Sequence, residues 1–120
     1  MTIIILPWPN ANLSPNKRLH WTAKLKHKQS SKDIGYLAGI ESGACINYHE
    51  LVKGRTIPLR VIFYPPSRRR YDLDNLFASM KPTLDGIAQA WNVDDRYFRP
   101  ITLDFGPVFK DGKVEIYVGE

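Results

Sequence analysis

Cysteine is nearly absent from this chain: Cys45 is the only one in 120 residues. A single thiol cannot close an internal disulfide and has no companions for a zinc cluster, which excludes a disulfide scaffold and a cysteine-rich metal site. A reducing, cytoplasmic setting is the expectation. No apolar run is long enough to span a bilayer. The apolar opening MTIIIL has no basic leader and meets Pro7 too soon for a signal peptide, so a buried strand is expected there. Repeats, low-complexity segments and linkers are lacking too. A chain of this length supports one hydrophobic core, and a single domain over residues 1–120 is expected.

Acidic residues are scarce in the first part of the chain. Residues 1–71 hold twelve Lys or Arg against three Asp or Glu, a net +9. Residues 72–120 hold five against nine, a net −4. A basic arm or face is the electrostatic footprint of a polyanion binder, with a merely solvated surface as the plain alternative. The concentration of the acidic residues at Asp72–Asp74 and Asp94–Asp95 weighs against solvation alone.

Thr2–Leu6 reads as a strand stopped by Pro7-Trp8-Pro9, and Asn10–Asn16 as a loop of turn-formers. The stretch from Thr22 to about Tyr48 is free of proline and predicts a helix, with Leu25, Ile34, Leu37, Ala38, Ala44, Cys45 and Tyr48 on one face. Lys24, Lys26, Lys28 and Lys32 crowd its first half, against the preference of the helix dipole, which points to a partner that uses them. Gly35, Gly39 and Gly43 recur every fourth residue. They form either a smooth stripe for close packing against a sheet or another subunit, or the place where the helix breaks. Thr56–Tyr64 predicts a second strand, with Leu59, Val61 and Phe63 on one face and Arg60, Ile62 and Tyr64 on the other. A second helix runs from about Asn75 to Ala90, with Pro82 kinking or dividing it near Lys81. Phe98–Phe105 and Lys113–Val118 read as two strands joined in a hairpin around Lys110-Asp111-Gly112. The order β-α-β-α-β-β predicts an α+β fold, a mixed sheet with two helices packed on it.

The chemistry concentrates in RRRYDLDNL, Arg68 to Leu76. Arginines attract phosphate and unpaired carboxylates repel it; a divalent cation between them reconciles the two. In an extended segment Asp72 and Asp74 project to one side and can share a hard cation, with Asp95 as a third ligand and Asp94 in its place or behind it. Such a site fits phosphodiester hydrolysis. Lys81, nearly two helical turns beyond Asp74, adds a positive group on the same face, and Asp85 shares that face. Each feature also has a structural reading. Asp74 can simply cap the helix, Lys81 and Asp85 can be a surface ion pair, and Asp94-Asp95 a polar turn. An EF-hand is excluded because Leu76 stands at the third ligand position. Cys45 lacks a base, and His20, His27 and His49 are too scattered for a ligand motif.

Taken in order, Arg-Arg-Arg-x-Asp-Leu-Asp-Asn-Leu, then Lys81 and Leu84-Asp85-Gly86, then Asp94-Asp95, resemble the RusA family of Holliday-junction resolvases. Leu6-Pro7-Trp8-Pro9 and Ser14-Pro15-Asn16-x-Arg18-x-His20-Trp21 are similar to that family's N-terminal region, so the likeness spans nearly the whole chain. Lys81 follows Asp74 at a longer interval than in the best-known members, by about one helical turn, but matches the family's lysine when counted back from Leu84-Asp85-Gly86. The resemblance implies a Mg²⁺-dependent endonuclease of DNA recombination and repair, a homodimer that nicks two opposed strands of a four-way junction, typically of phage or prophage origin in a bacterial cytoplasm. It implies Asp72, Asp74 and Asp95 as metal ligands, Lys81 as the catalytic lysine, and Arg68, Arg69 and Arg70 on the DNA backbone. Asn16, Lys17 and Arg18 are further expected DNA contacts. The alternatives are a nuclease that prefers flaps or forks, and a non-catalytic protein that binds branched DNA or RNA.

Overall fold

The computed structural model describes residues 2–44, 46 and 48–119, and the backbone alone of Tyr48. Four strands form one sheet: β1 (Thr2–Pro7), β2 (Ile57–Tyr64), β3 (Phe98–Phe105) and β4 (Lys113–Val118), in the spatial order β1-β4-β2-β3. β4 pairs antiparallel with both β1 and β2, while β2 and β3 pair in parallel, so the sheet is mixed. Among the described residues four α-helices complete the fold: α1 (Trp21–Glu41), the short α2 (Tyr48–Val52), α3 (Leu73–Ser79) and α4 (Lys81–Ala90). The α+β class is therefore the one expected, with two further helix boundaries. Among the described residues no helix is long and apolar enough to cross a membrane.

Strand alternation sets the core. Leu59, Val61 and Phe63 of β2, Val114, Ile116 and Val118 of β4, and Ile4 and Leu6 of β1 all point to one face and are buried there. Against them lie Leu84, Ile87 and Ala88 of α4, together with Met80 and Trp91 at its two caps. The opposite sheet face keeps Ile3 and Ile5 exposed. Burial of the first set from water is the main stabilising term, because it removes a contiguous apolar face at roughly 25 cal/mol per Å².

Two expectations about connectivity change. The segment around Lys110-Asp111-Gly112 does turn, with Gly112 donating its N–H to the Phe109 carbonyl at 2.8 Å. Yet β3 and β4 are not partners, because β2 lies between them. The connection crosses the end of β2, held there by N–H bonds from Gly106 to Phe63 and from Phe109 to Pro65. The most buried strand, β2, thereby has a neighbour on each side.

The second correction concerns α1. Helix α1 stops at Glu41, and Gly43 just beyond it has φ +67°, the left-handed conformation that closes many helices. Cys45 lies outside the described residues. Leu25, Ile34 and Leu37, expected on the buried face, are exposed, and the buried stripe is Ser31, Gly35 and Gly39. These small residues let α1 lie directly against the backbone of α4. A Cβ on Gly35 would collide with the Thr83 carbonyl, and one on Gly86 with the Lys32 carbonyl. The glycine stripe is thus a close-packing surface, and its partner is a helix of the same chain. The Trp91 indole N–H, donated to the Gly39 carbonyl at 3.1 Å, ties the far end of the contact.

Candidate functional site

The loop between β2 and α3 holds the arginines and Asp72. Pro65-Pro66 ends β2, since a proline nitrogen carries no hydrogen for the ladder. Asp72 is the N-cap of α3: it is extended at φ −103°, ψ 117°, and its Oδ1 accepts from the N–H groups of Asp74 (2.9 Å) and Asn75 (3.3 Å). The capping role weighed for Asp74 therefore belongs to Asp72. Asp74 sits in the first turn of α3, exposed, and its carboxylate has no partner among the described residues.

Arg69 stacks over the Tyr71 ring at 4.9 Å from its centroid, and Tyr71 meets Trp8 edge to face at 5.2 Å. A cavity of about 280 Å³ opens here, lined by Arg69, Arg70, Asp72 and Asn75 with Trp8 on one wall. On the other side of the same loop, Arg68, Arg69 and Arg70 line a second cleft with Phe105 and Val108. None of the three arginines pairs with a carboxylate among the described residues, although Asp72 shares a cavity with two of them.

Lys81 opens α4. The division between α3 and α4 falls beside Pro82, as its ring requires, and leaves Lys81 free to reach two acids. Its Nζ lies 3.2 Å from Asp85 Oδ1, the i,i+4 pair read from the sequence, and it is also bonded to Asp95 Oδ2. The hydrogen bond from Lys81 holds the Asp95 carboxyl below its ordinary value, and the bond to Asp95 raises the Lys81 ammonium above its own. Lys81 is a cation throughout the neutral range. It can therefore neutralise phosphate charge but cannot act as a base.

Asp94 caps the short 3₁₀ turn Asp95–Tyr97, its Oδ1 accepting from Arg96 N–H at 2.9 Å. Among the described residues no three His, Cys, Asp or Glu side chains gather into a group able to hold a metal. The structure joins Asp95 to Lys81 and not to Asp72 or Asp74. Asn16, Lys17 and Arg18 lie in the exposed loop before α1. His20 and His27 serve local structure: His20 Nδ1 accepts from the Thr22 N–H at 3.3 Å as the N-cap of α1, and Asn10 Nδ2 donates to His27 Nδ1 at 3.0 Å.

One charged network was not legible as a unit. On the outward sheet face Tyr64 and Tyr117 both donate to Glu115 Oε1, at 3.0 and 2.8 Å, and Lys113 pairs with the same carboxylate at 2.9 Å. Lys113 foremost, then Tyr117, holds that carboxyl below its usual range. The signal was the alternation of residues 113, 115 and 117 on one strand, but the contribution of Tyr64 comes from a neighbouring strand.

Fold and site together define a small α+β protein with arginine-lined clefts next to exposed aspartates, and a lysine bridging two further acids. No family model matches the chain. It is 42% identical over 119 residues, 98% of its length and 76% of the other's, to an uncharacterized protein of Xylella fastidiosa (strain Temecula1 / ATCC 700964), and it belongs to the same family as that protein.

Proposed function

We propose that this chain is a RusA-like, Mg²⁺-dependent endodeoxyribonuclease that nicks branched DNA, four-way junctions foremost. One observation carries the reading: Arg69, Arg70 and Asp72 share a cavity, yet the arginines stay unpaired with acids. Arginines so placed are available to phosphate, and the carboxylate beside them is compatible with phosphate only when a cation intervenes.

The donor set suits a hard cation. Asp74 offers a free, exposed carboxylate, and Asp72 retains one oxygen beyond its two capping bonds. Mg²⁺ is commonly held by one or two carboxylates together with waters and substrate phosphate, so these two suffice while Asp95 stays with Lys81. Bound there, Mg²⁺ would polarise the scissile phosphate and acidify a water for attack on it. The remaining roles belong to the side chains. Arg68, Arg69 and Arg70 seat the phosphate by charge-assisted hydrogen bonds. Lys81 supplies positive charge to the phosphate oxygens, and Asp95 and Asp85 aim its ammonium and keep it protonated. A homodimer would present two such sites to the two-fold symmetry of a junction.

A second reading, a branched-DNA-binding protein without catalysis, is favoured by the engagement of Asp95 with Lys81 in place of a three-carboxylate cluster. The deciding experiment incubates an immobile four-way junction with wild-type protein and with Asp74→Asn, each in Mg²⁺ and in EDTA. Symmetric paired nicks are expected from wild type in Mg²⁺ alone, with the variant binding but not cutting. Binding without nicks in every divalent metal tried would sink the nuclease reading and favour the second.

A further inference from the structure

Helix α1 runs in the same sense as α4 and touches it from Lys32 to Gly39, so its first half overhangs the start of α4. Under the overhang lies a cleft of about 530 Å³. One wall is Lys24, Lys28 and Lys32 of α1; the other is Lys81 and Asp85 of α4, with Pro15 and Leu25 as apolar lining. The three α1 lysines stand four residues apart, hence in one row about 6 Å from one to the next. Among the described residues none has an ion-pair partner, and the cleft's one carboxylate, Asp85, is already taken by Lys81.

Such a row is costly to the helix. Like charges at i,i+4 repel, and cations in the first turns oppose the dipole. No acid among the described residues pairs with them, so an anionic occupant would relieve the repulsion. An elongated one fits better than a compact one, because the row spans two helical turns and the successive spacing is close to that of phosphates along an extended strand. One turn before Lys24 and Leu25, on the same side of the helix, Trp21 is 65% exposed. An indole left open beside a line of cations is a stacking platform for a base.

We infer that the α1–α4 cleft is the track of one DNA strand, which runs along Lys32, Lys28 and Lys24 to Trp21 and enters the proposed active centre at Lys81, the residue common to both. The inference rests on the reading above for the identity of the polyanion. It does not rest on cleavage.

The test measures binding of a labelled single-stranded oligonucleotide and a labelled four-way junction in EDTA across a salt series. It compares wild type, Lys24→Ala/Lys28→Ala/Lys32→Ala, and a charge-matched control, Lys53→Ala/Arg99→Ala/Lys110→Ala. All six positions lie outside the core, and circular dichroism checks that the variants fold. Loss of three phosphate contacts should lower the slope of log affinity against log salt by about 2 to 3 in the groove variant, with at least about tenfold weaker binding, while the control stays near wild type. Trp21→Ala should weaken single-strand binding several-fold without changing the slope. Equal losses in the two triple variants would overturn the track and leave only diffuse charge. Unchanged binding by the groove variant, or wild-type affinity in Trp21→Ala, would overturn it as well. A wild-type protein that binds through these lysines and never nicks would refute the nuclease reading and leave the track standing.

Discussion

Lys81 is a single residue in two ion pairs. Its side chain is 60% exposed, so water screens both, and pairs of this kind contribute about 0.2–1 kcal/mol. The pH dependence follows from Asp95. Its carboxyl is lowered below the ordinary 3.8 in the folded state, so the stabilisation is fully present above that value and lost as pH falls through the folded value. Lys81→Met should cost no more than about 1 kcal/mol in urea denaturation at neutral pH, with the difference from wild type closing as Asp95 protonates. If Lys81 acts on phosphate as proposed, the same variant should cut about a hundredfold more slowly while folding normally. A small stability loss together with wild-type nicking would return the lysine to a surface role. The spacing paired Lys81 with Asp85 and named Asp95 separately. That one ammonium serves both acids depended on the turn after α4, whose path no local spacing specifies.

Elements were legible where their pattern was local. β2 was read on the right faces because alternation is a property of the strand itself, and the α3–α4 break because Pro82 enforces it. The hairpin failed for a different reason. The turn at Asp111 and Gly112 is real, but strand partners are set by which strand fills the gap, and the apolar β2 takes it. Helix α1 misled because hydrophobic residues usually mark a buried face, whereas here backbone contact needs the absence of side chains. Two glycine substitutions separate these roles. Gly35→Ala drives a methyl into the Thr83 carbonyl, which is backbone and cannot yield cheaply, so a loss of about 1–3 kcal/mol or more is expected. Gly43→Ala meets open space and suffers only the left-handed backbone, about 1–2 kcal/mol. Thermal melts should rank them in that order, and α4 should loosen in hydrogen exchange only in the first. The reverse order would mean that α1 and α4 do not meet as closely as described.

At the scale of the molecule, the charge division of the sequence becomes a spatial arrangement in which cations line the clefts and Asp72 and Asp74 stand exposed beside them. Carboxylates next to a phosphate path weaken binding unless a cation is shared, and linkage turns that into a measurement. If Asp72 and Asp74 hold Mg²⁺ between protein and phosphate, Mg²⁺ and DNA strengthen one another's binding. Against that stands general competition, since added Mg²⁺ screens phosphate and displaces lysines and arginines everywhere. The comparison is therefore between wild type and Asp72→Asn/Asp74→Asn at matched ionic strength, with uncleavable phosphorothioate linkages at the branch point. In EDTA the double variant should bind several-fold more tightly, having lost two negative charges. On addition of Mg²⁺ wild type should gain affinity and the variant lose it, so that the order reverses. If Mg²⁺ weakens both proteins equally, the aspartates bind no metal in the complex; Asp72 is then a helix cap, and the unpaired arginines beside it serve a protein that holds DNA without cutting it.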